Sequence, residues 1–312
     1  TIDNPRMRHP DTPYLYSLRI PLTDRDGQSD CVQQAFGLRT IEVSAERGFL
    51  INGEPLLLRG GCVHNDHGLL GAASHDDAEA RKVRLLKAQG FNAVRCSHNL
   101  QAEAFLDECD RQGMVVIDEC FDQWETPDGK NTDDYHQYFK TWSDRDITTM
   151  VRRDRRHPSV CFWSLGNEIP ERAEPNGVAI AKRLRATVLS LDKTRPITAA
   201  IATWGRGAND WERDVQVAFQ SLDVAGYNYN WQRYESDHAN APQRVMMGTE
   251  SFPRDAARNW QQVERLPYVI GDFVWTAMDY LGEAGIGHVV RAGEPNPLFM
   301  PWPWFNAWCG DI

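Results

Sequence analysis

The chain has 312 residues, enough for one large α/β domain plus a smaller piece, or for two ordinary domains. Its 44 acidic residues outnumber 34 basic ones, and the net charge of -10 argues against a nucleic-acid backbone or an anionic membrane surface as partner. No apolar run approaches the roughly 18 residues that span a bilayer, and the polar opening TIDNPRMRHP lacks the apolar core of a signal peptide.

Residues 1–44 contain two alternating stretches, PYLYSLRIPL and CVQQAFGLRTIEV, joined by the turn-rich TDRDGQ. They read as antiparallel strands but are too few for a sandwich of ~100 residues, so the tail of a preceding β domain is expected. GFLINGEPLLL follows and reads as a hairpin turning at Asn52–Gly53, positioned to plug the bottom of the next domain. From about residue 55, eight apolar β-rich runs alternate with helical stretches: PLLLRGGCVH, FNAVRCSH, MVVIDECFD, SVCFWSLGNE, PITAAIA, LDVAGYNY, RVMMGTES and YVIGDFVWTAMD. The first helical stretch, SHDDAEARKVRLLKAQG, has a Ser/Asp start, apolar Ala80, Val83 and Leu86 at helical spacing, and Gly90 as a stop. QAEAFLDECDRQG, WSDRDITTMVRRDRRH and GVAIAKRLRATVLSLD repeat the pattern.

Eight such alternations predict a (β/α)8 TIM barrel over residues 45–312, whose usual size is ~250 residues. The competing doubly wound sheet would suggest a nucleotide ligand, yet no G-x-G-x-x-G follows the first strand. Cys62, Cys96, Cys120 and Cys161 fall within or just after apolar runs and form no C-x-x-C pair. They read as reduced core thiols, compatible with a cytoplasmic or a periplasmic or secreted location in a bacterium.

In a TIM barrel the chemistry lies at the carboxyl ends of the strands. Those ends carry His64, Arg95 with His98, Asp118 with Glu119, Asn167 with Glu168, Tyr229, Glu250 and Trp275. Singly, each has a plain reading: Glu168 and Glu250 as helix caps, Arg95 as an ion-pair partner of Asp118 or Glu119, Tyr229 and Trp275 as core aromatics. Together, glutamates on strands four and seven suggest a retaining glycosidase, in which one carboxylic acid protonates the leaving oxygen and the other carboxylate attacks the sugar. Glu250 is expected to be held ionised by Arg95 and Tyr229. Glu168, after Phe162, Trp163 and Leu165, is expected in a drier setting that keeps its proton available. His64 and His67 stand three apart on a strand, so a shared metal is not expected. The basic RRDRRH at residues 152–157, at a helix end, reads as a solvated face.

FGLRTIEV, LLLRGGCVHNDHGLLGAA, GFNAVRCSHN, VVIDECFDQW, MVRRDRRHPSVCFWSLGNE and FVWTAMDYLGE together resemble glycoside hydrolase family 2, most of all its β-galactosidases, over essentially the whole chain. The resemblance implies that residues 1–44 finish the immunoglobulin-like domain before the barrel, and that the family's amino-terminal sugar-binding domain belongs to the parent chain but lies outside this sequence. It further implies Glu168 as acid/base, Glu250 as nucleophile, and Asn167 as partner of the sugar 2-hydroxyl. His64 and His98 would contact sugar, Arg95 and Tyr229 would orient the nucleophile, Trp275 would floor the pyranose site, and Asp122 and Trp124 would add contacts. The implied substrate is a terminal β-galactoside of an oligosaccharide or glycoconjugate, cleaved without a cofactor. Some family members bind magnesium beyond strand three; Gln123 and Glu125 at the comparable positions argue against that metal here. Asp279 and Glu283 add negative charge where glucuronidases of the family carry an Asn-x-Lys pair, favouring a neutral sugar. The alternatives are a β-glucuronidase, a β-mannosidase, or an inactive carbohydrate-binding scaffold.

Overall fold

The computed structural model of the chain describes residues 2–67, 70–127, 133–203, 208–278 and 293. Tyr16–Thr23 (β1) and Ser29–Phe36 (β2) pair as an antiparallel hairpin. Asp24 builds its turn by accepting the backbone N–H groups of Asp26 and Gln28 at 2.9 and 2.8 Å. Leu18, Ile20, Leu22 and Val32 of this hairpin are exposed.

The alternation of CVQQAFGLRTIEV does not make a single strand. It breaks after Phe36, where the Arg39 guanidinium is fastened to the barrel, donating to the carbonyls of Pro158 and Val160 at 2.6 and 2.5 Å. Ile41–Ser44 (β3) then pairs with Gly48–Ile51 (β4), which turns through Asn52 and Gly53 into Glu54–Pro55 (β5). Both turn residues have positive φ, 54° and 82°, which Asn-Gly accepts cheaply. Phe49 and Ile51 of β4 are buried among the side chains of the barrel interior, with the Phe49 ring 5.1 Å from that of Phe162. The hairpin thus plugs the barrel as its sequence predicts.

The eight predicted runs all form strands: Leu58–Val63 (β6), Ala93–Cys96 (β7), Val115–Glu119 (β8), Val160–Asn167 (β9), Ile197–Ile201 (β10), Val224–Asn228 (β11), Val245–Ser251 (β12) and Val269–Met278 (β13). Each pairs parallel with the next, and β13 closes on β6 to complete the barrel. The connecting helices are Asp76–Ala88 (α1), Glu103–Gln112 (α2), His136–Asp154 (α3), Pro175–Leu191 (α4), Ala208–Phe219 (α5), Tyr234–Asn240 (α6) and Ala256–Arg265 (α7). Helix α3 begins six residues before the stretch that patterning marks at Trp142. Its first turns bury Phe139 against Phe121 but expose Tyr138, too sparse an apolar signal to read in sequence. Inside the barrel, small residues face large ones: a Cβ on Gly60 would lie 2.2 Å from the Phe273 ring.

Asp272 of β13 is 5% exposed, and Ser251 Oγ donates to its Oδ1 at 2.5 Å. Burial pushes its carboxyl up to about 7. The folded chain therefore binds this proton more tightly than the unfolded chain does. The group's contribution to stability falls as pH rises from about 4 to about 7 and is level above, a loss on the order of 4 kcal/mol. Asp272→Asn is expected to remove this dependence: thermal melting at pH 5 and pH 8 should differ less in the variant than in the wild type.

Candidate active site

Strand alternation turns Arg95 of β7 into the barrel, where it is fully buried. A buried guanidinium needs acceptors for its five N–H donors. Nε donates to Glu119 Oε2 at 3.0 Å, and Nη2 donates to Glu119 Oε1 at 2.8 Å and to Asn167 Oδ1 at 2.9 Å. Nη1 donates to Glu250 Oε1 at 2.9 Å and to the Thr249 carbonyl at 3.2 Å. One side chain thereby ties together the ends of β7, β8, β9 and β12. Burial works against the Arg95 charge, but Glu119 and Glu250 outweigh it and raise its pKa well above the ordinary value. Burial likewise pushes Glu119 up, yet Arg95, His98 and Ser164 prevail and hold it below the usual carboxylate value.

His98, just past β7, shares a short 2.7 Å contact between Nδ1 and Glu119 Oε1 and stacks on Trp275 with ring centroids 5.1 Å apart. Burial would lower its pKa, but Asp122 and the Glu119 hydrogen bond raise it instead. His64, past β6, meets the Trp275 ring edge-on at 5.1 Å. Burial, with the neighbouring His98, lowers His64 to about 4, so the pKa values of the two imidazoles beside one indole are pushed in opposite directions. Asn167 at the end of β9 donates from Nδ2 to Asp122 Oδ1 at 2.9 Å. His64, Arg95, His98, Asp122, Asn167, Glu168, Tyr229, Glu250 and Trp275 are thus brought together at the barrel mouth.

Glu168 leaves β9 with φ 45°, its N–H donated to the Ala200 carbonyl at 2.8 Å, and Tyr229 leaves β11 with φ 58°. Two non-glycine residues in the left-handed region each cost roughly 1–2 kcal/mol, a strain the surrounding network overcomes. The β11–β12 register slips between Tyr227 and Asn228, so Asn228 stands opposite Glu250. The Tyr229 N–H donates to the Glu250 carbonyl at 2.8 Å, and its phenol hydrogen-bonds the Glu250 carboxylate. Burial and then the Glu250 charge raise the phenol's pKa, keeping it a donor. For Glu250 itself, burial first and the Glu168 charge second push the pKa up, opposed by Arg95 and His98.

Three sequence expectations are corrected. Glu250, at 4% exposure, is the drier of the two glutamates and has its pKa raised by burial rather than held down by Arg95, whereas Glu168 is only half-buried because its left-handed turn carries it out of β9. Asp118 does not join the mouth: alternation along β8 sends it the opposite way from Glu119, into full burial beside Asp154 of α3. Trp124 is 3% exposed and donates its indole N–H to the Leu165 carbonyl at 2.9 Å, so it packs behind the mouth.

The remaining sequence features fall into place around this site. Gln123 is fully buried and donates to Asp134, while His67 contacts Glu79 at 2.9 Å, away from His64. In RRDRRH, Arg153 grips Asp154 and Arg156 pairs with Glu103, so these arginines brace the helix layer. Asp279 and Glu283 lie outside the described residues. Sequence reasoning missed Ser164, which donates to Glu119 Oε2 at 2.7 Å, and Asn228, which donates to both Asn167 and Glu168. The strand-end rule could have found Asn228, since it directly precedes Tyr229.

Residues 41–283 match the family described as glycosyl hydrolases family 2, TIM barrel domain. A β-galactosidase of Bacteroides ovatus is 31% identical over 91% of this chain and 41% of its own length. A β-glucuronidase of Paenibacillus borealis is 30% identical over 92% of this chain and 54% of its own. The crystal structure of a glycosyl hydrolase family 2 member from Bacteroides cellulosilyticus superposes with a TM-score of 0.82 at 45% identity, covering 91% of this chain and 35% of that one. The chain therefore spans about a third to a half of the length of these relatives. By the family match over most of its length and by the barrel that carries it, the chain belongs to glycoside hydrolase family 2.

Proposed function

We propose that the protein is a retaining exo-glycosidase acting on terminal β-D-galactosides by double displacement, with Glu250 as nucleophile and Glu168 as acid/base. The observation that carries this reading is the unequal housing of two glutamates within electrostatic reach of each other. Glu250 is buried and clamped by Arg95 and Tyr229; Glu168 is half-buried on the far side of Asn167 and Asn228. Fixed donors on Glu250 orient one carboxylate for attack, while partial exposure of Glu168 leaves room for a leaving group to take its proton. Burial and the Glu168 charge raise the Glu250 pKa, so the pair disfavours two simultaneous charges. Once Glu250 is esterified, Glu168, having given its proton to the leaving oxygen, takes one from the incoming water as general base. Retention needs carboxyl groups ~5–5.5 Å apart.

In this reading Asn167 meets the sugar 2-hydroxyl, Trp275 with His98 and His64 walls the pyranose site, and Asp122 contacts a hydroxyl. No step calls on a cofactor. The galactoside rather than the glucuronide is supported by charge: at the mouth the basic side chains of Arg95 and His98 are both engaged by Glu119, with Glu250 and Asp122 beside them. A uronic acid would meet carboxylates instead of a spare cation. The similarity to a β-glucuronidase keeps that activity as the second reading. We read residues 1–44 as the end of a β-sandwich, a reading favoured by the apolar side chains that the β1–β2 hairpin exposes, with the barrel as the catalytic domain.

Three outcomes test these assignments on the complete protein. Across a panel of aryl β-glycosides the galactoside is expected to have the highest kcat/KM; a higher value for the glucuronide overturns the substrate. Glu250→Gln should abolish turnover, and Glu168→Ala should lose roughly 10²–10⁴-fold on unactivated substrates. On a dinitrophenyl glycoside, whose leaving group needs no proton, azide should speed turnover of Glu168→Ala by attacking the glycosyl-enzyme to give the β-glycosyl azide; unchanged turnover in either variant overturns the mechanism. Removing the Glu168 charge relieves the repulsion that raises Glu250, so the acidic limb of kcat/KM for a dinitrophenyl glycoside should move to lower pH in Glu168→Gln.

A further inference from the structure

Asn228 is fully buried at the end of β11, and its side-chain orientation is determined by its neighbours. Arg95 can only donate, so the Asn167 atom it contacts at 2.9 Å is the amide oxygen. Asn228 must therefore turn its NH2 group toward that oxygen, which it meets at 3.0 Å, and the same nitrogen's other hydrogen reaches Glu168 Oε1 at 3.1 Å. Its own oxygen is held by the Thr249 hydroxyl at 2.7 Å, one residue before Glu250. A continuous path of hydrogen bonds thus runs from the nucleophile's strand through Asn228 to the half-exposed Glu168.

We propose that Asn228 is a positioning residue for proton transfer: it fixes the rotamer of the Glu168 carboxyl so that its second oxygen faces the glycosidic oxygen, and Thr249 locks Asn228 in the amide orientation that does this. The proposal rests on the assignment of Glu168 as acid/base. A half-exposed glutamate at a strand end, with three side-chain torsions, samples several rotamers unless one oxygen is held. Asn228 supplies that hold from β11, a strand separate from the one bearing Glu168. Proton donation matters most when the leaving group is a poor one, so loss of positioning shows as a dependence on the leaving group rather than as a uniform loss.

The test compares kcat/KM for a series of aryl and alkyl glycosides of graded leaving-group pKa, using the sugar that the complete protein turns over best. Asn228→Ala is expected to cost roughly tenfold or more on the alkyl glycosides and little on the dinitrophenyl glycoside, steepening the leaving-group slope. Thr249→Val, which keeps Asn228 but frees its amide to turn, should steepen the slope in the same direction by less, and it serves if Asn228→Ala melts at a much lower temperature. A loss spread evenly over all leaving groups, as would follow from disturbing only Asn167 or the fold, overturns the proposal. Glu168→Ala is the control. If it steepens the slope and neither Asn228→Ala nor Thr249→Val does, Asn228 has no such role. If Glu168→Ala leaves the slope unchanged, the acid/base assignment itself fails.

Discussion

A single buried cation organises the mouth of this barrel. Arg95 lies above a layer of apolar side chains that includes Cys62, Ile117 and Phe273, with the Phe49 plug beneath, so bulk water does not screen it from below. An unpaired charge there would cost several kcal/mol, which makes its acceptors obligatory rather than decorative. Those acceptors stand on three other strands, and satisfying them fixes the relative positions of Glu119, Asn167, Thr249 and Glu250. The geometry of the site is in that sense the solution to a desolvation problem.

The two glutamates differ because only one of them shares in that solution. Glu250 is within the guanidinium's reach and inherits its burial; Glu168 is one residue beyond Asn167 and turns outward through a left-handed backbone. Chemistry that needs one enclosed and one more accessible carboxyl follows from placing one against the guanidinium and the other at the edge of the same hydrogen-bond network. Glu119 takes no part in that division. It neutralises Arg95 and raises the His98 pKa, so the network around Glu250 is not simply a positive pocket. The raised Glu250 pKa reflects this balance: Arg95 orients the carboxyl more than it acidifies it.

The barrel was legible because strands buried on both faces leave uninterrupted apolar runs, and each of the eight runs became a strand. Period-3.6 patterning located α1, α2 and α4, but it failed at the start of α3, where only Phe139 faces inward among exposed residues. Most of the site was legible from one topological rule, that side chains at carboxyl ends converge. The rule does not say which of two adjacent residues points inward, and so it admitted Asp118 along with Glu119. Nor does it see loops: Trp124 lies just beyond a strand end, yet its indole is drawn behind the mouth by the Leu165 carbonyl. The relative dryness of Glu168 and Glu250 was misread for a related reason. Apolar neighbours in sequence describe the strand, whereas exposure at its end is set by the backbone turn that follows, and φ 45° at Glu168 is invisible in composition.

The residues that sequence reasoning missed share a property: none is ionisable, and each side chain acts on an ionisable one directly or through one neutral amide. Ser164 donates to Glu119, Thr249 to Asn228, and Asn228 to both Asn167 and Glu168. Neutral polar side chains are common in strands and carry no charge signature, so a search for catalytic acids and bases passes over them. Their role is to remove the choices that a charged side chain would otherwise have. Arg95 fixes which Asn167 atom is oxygen, Asn167 fixes the face of Asn228, and Thr249 fixes it from the other side. Orientation therefore propagates outward from the buried cation to the half-exposed acid. The precision of Glu168, the least buried of these groups, depends on the most buried one.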